Sequence, residues 1–409
     1  MRFVLGLLLV AALDRPLAAQ AQDWPDFRGP DGQGHSAARG VPLDWSESRN
    51  ITWKSAVPGS GWSTPIVSGE RVWLTTAVEN RGVSLRALAY DTASGREVVN
   101  VEVFRTRSGG SLHPKNTRAS PSPIVEGDRV YVHFGAAGTA ALTTTGEIVW
   151  KTQFAYESQH GAGGSPVLYG DLLILSCDGS DAAFVVALDK RTGKTRWKTS
   201  RRQPWDQAYT TPLVIRATRA GDRDQVVSVG AYRAVSYDPQ TGKEIWRVSY
   251  GEGFSNVPRP VYGNGLVYIT TGFFQPEILA VRLDGGGDVT KTHVQWSLRR
   301  AAPLTPSPLL VGSELYVVTD NGIASCVDAA TGTLVWQRRL NGTFSASPLF
   351  ADGRVYFLAE DGAATVIAPG REFKQLAVNH LEGATLASIA VAGRSFYIRS
   401  ATHLYRIDG

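Results

Sequence analysis

The chain has 409 residues, 43% hydrophobic and 19% charged, with 43 glycines, 21 prolines, 11 tryptophans, two cysteines and a formal net charge of +5 at pH 7. That apolar content excludes a disordered chain, and no apolar run beyond the first 20 residues is long enough to cross a bilayer. Lysines and arginines are scattered rather than gathered in a stripe, which excludes a nucleic-acid groove.

At the N-terminus, Met1 and Arg2 precede an apolar run over residues 3–13, and small residues follow at Ala18, Ala19 and Ala21. This is the build of a secretory signal peptide, residues 1–21, cleaved after Ala21, so the mature protein is expected in the periplasm or outside the cell. No cysteine stands near that point to take a lipid, and Cys177 and Cys326 lie in apolar, strand-like segments as small buried hydrophobes. Residues 22–49 form an N-terminal extension, and the repeats occupy residues 50–409.

From Ser63 onward one pattern recurs: a small residue, proline, an apolar pair, a turn and an alternating apolar strand. It reads STPIVSGERVWLTT at its first copy and SPLLVGSELYVVTD from Ser307. The marker prolines are Pro65, Pro123, Pro166, Pro212, Pro260, Pro308 and Pro348, with Ile389 in the eighth slot. A second hairpin follows each copy, clearest in VALDKRTGKTRW (residues 186–197), where an Asp and a Thr-Gly turn precede a strand carrying Trp. The Asp side chain can bond its own turn, and Gly193, Gly242 and Gly332 supply the positive φ of a tight hairpin. Two hairpins per repeat give four antiparallel strands, so the fold class is all-β: an eight-bladed β-propeller of four-stranded blades.

The eighth copy ends at Gly409 without a Trp strand, whereas NITWKSAV (residues 50–57) supplies a Trp strand with no hairpin before it. The N-terminal strand is therefore expected to complete the last blade and close the ring, which removes the open edges of a linear array.

With the AxDxxTGxxxW pattern at 187–197, and partly at 238–246 and 328–336, the chain resembles the quinoprotein-like propellers. That fold serves pyrroloquinoline quinone (PQQ) alcohol dehydrogenases and a non-catalytic lipoprotein that assists outer-membrane-protein assembly. The resemblance implies that each indole packs on the next blade while its N–H reaches a backbone acceptor. Closer still is the similarity to a secreted group of bacterial propellers that carry stretches like DWPDFRGPDGQG (23–34), HPKNTRASPSP (113–123) and HGAGGSP (160–166). It implies the fold and no particular activity. The dehydrogenases hold PQQ under two adjacent cysteines beside a calcium ion, and no adjacent pair exists here; the assembly factors are lipidated, and no acceptor cysteine exists either.

In a propeller, the loops entering the innermost strands and those between second and third strands share one face. Those loops carry His113, Lys115, Asn116 and Arg118, then His133, His160, Asp178, Asp181, Tyr232, Arg233, Arg259, Asp320, Asn321, Glu360 and Asp361. One reading is a zinc or other transition-metal site from His113, His133 and His160, although no short ligand spacing supports it. Another is an anion or PQQ pocket from Lys115, Asn116, Arg118, Arg233, Arg259, Asp320 and Asn321, PQQ requiring calcium as well. A third is acid–base work by His113 or His160 with Asp178. Each has a structural counterpart, histidines bonding loop carbonyls and arginines in salt bridges. The expectation is a monomeric propeller that binds a small polar or anionic ligand, or an envelope protein or glycan, at its histidine-bearing face. The alternatives are a quinoprotein-like alcohol or sugar dehydrogenase and an envelope assembly scaffold.

Overall fold

The computed structural model describes residues 23–107, 110, 112–201, 207–218 and 221–409; the expected signal peptide lies outside the described residues. The described residues form eight sheets, one per sequence repeat, each starting from an innermost strand of three residues. Blade 1, for example, runs outward through Ile66–Ser68, Arg71–Glu79, Val83–Asp91 and Glu97–Thr106. Burial follows position in the ring. In blade 3, Leu172–Asp178 is buried along nearly its whole length, because blades cover both of its faces. The outer strand Thr195–Ser200 buries only Trp197.

The ring closes as the sequence implies. Ile51–Ala56 is the outer strand of blade 8, antiparallel to His403–Asp408, with Trp53 opposite Arg406 and Ser55 opposite Leu404. The last blade thus takes strands from both ends of the chain, and no sheet edge is left where the ring meets itself.

The repeated tryptophans lock neighbouring blades. The indole N–H groups of Trp53, Trp150, Trp197, Trp296 and Trp336 donate to Thr92 O, Lys190 O, Pro239 O, Ala329 O and Gly370 O, at 2.9–3.1 Å. Four of those acceptors sit in turns of the Asp and Ser/Thr-Gly type, whose glycines pack against the indole. A Cβ on Gly193 would lie 2.5 Å from the Trp150 ring, and one on Gly242 2.4 Å from the Trp197 ring. Glycine is required there by contact as well as by its positive φ of 70° and 69°. Trp246 departs from the pattern and donates to Gln225 Oε1 in its own blade. Blade 5 has no such turn; its chain instead adds Gly287–Asp288 as a short parallel fifth strand on blade 4, beside Trp246.

The N-terminal extension is not peripheral. Trp24 exchanges backbone hydrogen bonds with Val67 (2.8 and 2.9 Å), and Pro25 O accepts from Val125 N–H. Further along, Gln33 Oε1 accepts from Tyr262 N–H, His35 Nε2 meets Leu310 O at 2.6 Å, and Gly34 O accepts from Phe350 N–H. His35–Ser36 then pairs in parallel with Leu349–Ala351. Val67, Val125, Tyr262, Leu310 and Phe350 are all middle residues of innermost strands, whose channel-facing backbone groups have no partner within their own sheet. The extension therefore crosses the axle of the ring and satisfies the inner edges of five blades.

Candidate functional site

The residue before each marker proline is held extended, and these residues form a belt around the axle. Thr64 N–H donates to Ser122 Oγ, Ser122 N–H to Ser165 Oγ and Ser165 N–H to Thr211 Oγ1, each at 2.9 Å. Beyond blade 5 the chain of bonds resumes from Ser307 N–H to Ser347 Oγ at 3.1 Å and from Ser347 N–H to Ser388 Oγ at 2.9 Å. Blade 5 places Arg259 in this belt. Its N–H donates to Ser307 Oγ, its Nε to Pro212 O in blade 4, and its Nη1 to Phe27 O in the extension at 2.6 Å. One arginine thus substitutes for a hydroxyl and pins the extension across the axle.

Above this belt the channel opens into a cavity of about 560 Å³ on the loop face, with Phe27 as its floor. All seven belt hydroxyls line it, together with Trp62, Tyr209, Phe254, Phe273, Leu304 and Leu386. The mouth is bridged by an ion pair between residues far apart in sequence, Lys115 Nζ to Glu360 Oε1 at 2.7 Å. Glu360 also accepts from Ser345 and Thr343. Against the cost of desolvation, the bonds from Lys115, Ser345 and Thr343 hold its carboxyl below the usual glutamate range.

Of the residues singled out from sequence, His113, Lys115, Asn116, His160 and Asp320 share this cavity. The rings of His113 and His160 meet edge to face at 5.6 Å, and His160 lies 5.9 Å from the Tyr209 ring. Burial and then the neighbouring His113 push the His160 pKa down. Asn116 Nδ2 donates to His160 O at 2.6 Å and ties the two histidine loops together. Asp320 Oδ2 accepts from the N–H groups of Leu304 and Thr305 at 2.8 and 3.2 Å, so it shapes the loop entering blade 6.

The remaining candidates lie elsewhere. His133 is buried in blade 2 against Thr139 Oγ1 at 2.8 Å, and burial lowers its pKa to about 4. Among the described residues no group of three or more His, Cys, Asp or Glu side chains could hold a metal ion, so the expected histidine triad is not assembled. Asp178 gives both carboxylate oxygens to the Arg201 guanidinium, and Arg201 Nη1 donates to Ser228 Oγ of blade 4. Burial alone would lower the Arg201 pKa, but the charge and hydrogen bonds of Asp178 outweigh it and raise it. Asp178 is thus buried beside Arg201 and does not line the cavity that holds His113 and His160. Arg233 donates to Arg201 O at 2.7 Å, and Asn321 accepts from Thr319 Oγ1 at 2.6 Å. Arg118 is half-buried and does not line the cavity.

The donor set does not suit PQQ with calcium. Lys115 is committed to Glu360 and Arg259 to the extension, which leaves no cluster of cations for three carboxylates among the described residues. Among the described residues Asp320 is the one carboxylate lining the cavity, too few for a calcium shell of six to eight oxygens. Cys177 and Cys326 are separately buried in blades 3 and 6. What sequence reasoning missed is the wall, Trp62, Tyr209, Phe254 and Phe273, and the belt. The belt was visible as the small residue before each proline but was read only as fold punctuation.

Comparison with known proteins agrees with this architecture. A family profile described as outer membrane protein assembly factor BamB matches residues 43–184, 181–310 and 277–386. The assembly factor BamB of Burkholderia pseudomallei (strain K96243) is 27% identical over 261 residues, 59% of this chain and 60% of that protein. Quinohemoprotein alcohol dehydrogenase ADH IIB of Pseudomonas putida is 24% identical over 271 residues, 61% of this chain and 38% of that protein. The chain spans about half to three-fifths of the BamB proteins it matches, 60% in Burkholderia and 49% in Yersinia pestis. Among solved structures, BamB from Moraxella catarrhalis superposes with a TM-score of 0.61 at 14% identity, covering 87% of this chain and 99% of that one. A europium-containing methanol dehydrogenase gives 0.57 at 13% identity, covering 85% and 89%. The likeness to these structures shows the shared propeller. Because the profile covers most of the repeats, the chain belongs to the family described as outer membrane protein assembly factor BamB.

Proposed function

We propose that this protein is a binding propeller of the bacterial cell envelope, which seats a ligand or an assembly partner in the cavity of its loop face without transforming it. The observation that carries this is the form of the cavity: about 560 Å³, floored by Phe27, walled by aromatic side chains, its charged groups committed to structural bonds. A pocket of that volume suits a drug-sized ligand or a few side chains of a partner. Family membership supports a role beside outer-membrane-protein assembly, and the secretory signal expected over residues 1–21 supports an envelope location. No helix among the described residues is long and apolar enough to cross a membrane, which is compatible with such a partner's being reached from the aqueous side.

The experiment is site-specific photo-crosslinking in cells. A photoreactive residue replacing exposed His113 at the cavity rim should give a discrete envelope adduct. The same residue replacing Arg129, in the first turn of blade 2 on the opposite face, should give none. Adducts from position 129 alone refute the loop face as the binding face.

A further inference from the structure

Resting on that binding role, we propose that the cavity takes an amphiphile with a single acidic head, a carboxylate or sulfonate, held by the ring of belt hydroxyls with its apolar body against the aromatic wall. Six belt hydroxyls accept a backbone N–H from the preceding blade, so their positions are fixed by the fold. None of these hydroxyls donates to a protein acceptor among the described residues, although the belt side chains are 2–8% exposed and line the cavity. Each therefore presents an O–H whose proton has no protein partner and is free to bond whatever fills the cavity. Donors converging on one axis call for a group that only accepts. An ionised carboxylate, with two oxygens and about four lone-pair sites, is such a group.

Charge beneath the belt agrees. The Arg259 guanidinium contacts Phe27 O at the cavity floor and makes no ion pair within 4 Å among the described residues. Its guanidinium bonds go to the carbonyls of Pro212 and Phe27, and the carboxylates of Asp26 and Asp31 act on its charge from beyond ion-pair distance, so a cation without a direct ion pair lies beneath the cavity floor. One acidic head is the limit, because Glu360 and Asp320 repel further negative charge nearer the mouth.

The upper wall defines the body of the ligand. Trp62, Tyr209, Phe254 and Leu386 offer apolar contact, and Phe273 continues the wall to the surface, where it is 51% exposed. Phe273 stacks edge to face on Phe254 at 5.6 Å, and Phe274, 61% exposed, follows it with a φ of 87°. An unbranched or aromatic chain can thus leave the cavity along a continuous apolar lip. The acid could be a free small molecule or the C-terminus of a polypeptide, and the two share this chemistry.

Calorimetry on the intact protein tests it with 4-phenylbutyrate, its primary amide, and a peptide of apolar sequence in free-acid and C-terminally amidated forms. The expected result is binding of at least one acid with roughly tenfold weaker binding of its amide. Binding by 4-phenylbutyrate alone identifies a small-molecule source, and binding by the free peptide alone a chain terminus. Thr64→Val removes one belt donor whose oxygen accepts no backbone N–H, so no fold bond is orphaned; it should weaken acid binding severalfold. Leu386→Trp fills the cavity from a half-buried position and should abolish binding of acid and amide together. Equal binding of acids and amides, or no binding of either acid up to about 10 mM, overturns the proposal. Rim-specific crosslinks from position 113 would survive that failure, so the two conclusions are separable.

Discussion

Asp178 could serve chemistry or hold two blades together, and its neutralisation separates these roles. The carboxylate and the Arg201 guanidinium have side chains only 2% and 4% exposed, and they are joined through two hydrogen bonds, with Arg201 reaching on to Ser228 in blade 4. Removing one partner leaves a buried charge uncompensated, which costs about 3–5 kcal/mol. A chain of 409 residues unfolds with an entropy near 0.9 kcal/mol/K, at about 2.1 cal/mol/K per residue, so Asp178→Ala should lower Tm by roughly 4–6 °C. Arg201→Met should do the same. The double variant Asp178→Leu/Arg201→Met should be less damaged than either single change, because no charge is then stranded. Differential scanning calorimetry on all three, beside crosslinking from position 113, is the assay. Asp178→Ala with an unaltered Tm but lost ligand binding would refute the structural role and return Asp178 to the functional residues.

Three other outcomes follow from the extension and the closure. Burial pushes the Asp26 carboxyl up to about 6, the Arg259 charge and the Phe27 N–H opposing it only in part, and Asp26 Oδ1 has no donor. A folded pKa above the unfolded 3.8 means that this group's contribution is fully present below about pH 4 and is lost as pH rises through 6. Asp26→Asn should therefore raise stability at pH 7 by up to roughly 3 kcal/mol and flatten its decline between pH 4 and 7; a denaturation profile that overlays the parent's would refute this. Arg259→Ser restores a hydroxyl to the belt but unpins Phe27, so trypsin should cut after the buried Arg28 well before the rest of the ring is digested; equal protection in both proteins would show that the pin is dispensable. Trp53→Ala should cost about 2 kcal/mol, less than a fully buried tryptophan because the indole is half-buried, and should speed amide exchange across His403–Asp408. Unchanged exchange there would mean that the N-terminal strand does not secure blade 8.

Legibility in the sequence tracked repetition. Pro65 and its counterparts, the Trp positions and the lone Trp53 strand were readable because a propeller repeats one local solution, and repetition averages out the ambiguity of any single copy. Trp246 was misread for the complementary reason: its donor bond depends on the turn of blade 5, which breaks the repeat. The extension at 22–49 carries no period, so nothing in DWPDFRGPDGQG announced that Trp24, Gln33 and Gly34 would satisfy inner-strand edges. Within the site, His113, Lys115 and His160 were found from loop position. Lys115 meets Glu360 across 245 residues, and such a pairing is set by ring geometry rather than by any local pattern. Asp178 and Arg259 were drawn towards function because charge in a loop is visible in sequence, whereas burial is not.

The path of the extension also bears on how the ring is built. Residues 23–56 are made well before Phe350 and the strand His403–Asp408, with which they must pair. Closing a loop of that span carries only a slowly growing entropic cost, but it cannot begin until the far end exists. Until then blades 1 and 8 lack their common seam, and the inner edges of five blades are unsatisfied. A ring interrupted shortly before Asp408 would present open strand edges at both flanks and an open axle, the features that recruit other chains. Arrival of the strand His403–Asp408 is thus the event that converts a row of blades into a closed vessel with a floor.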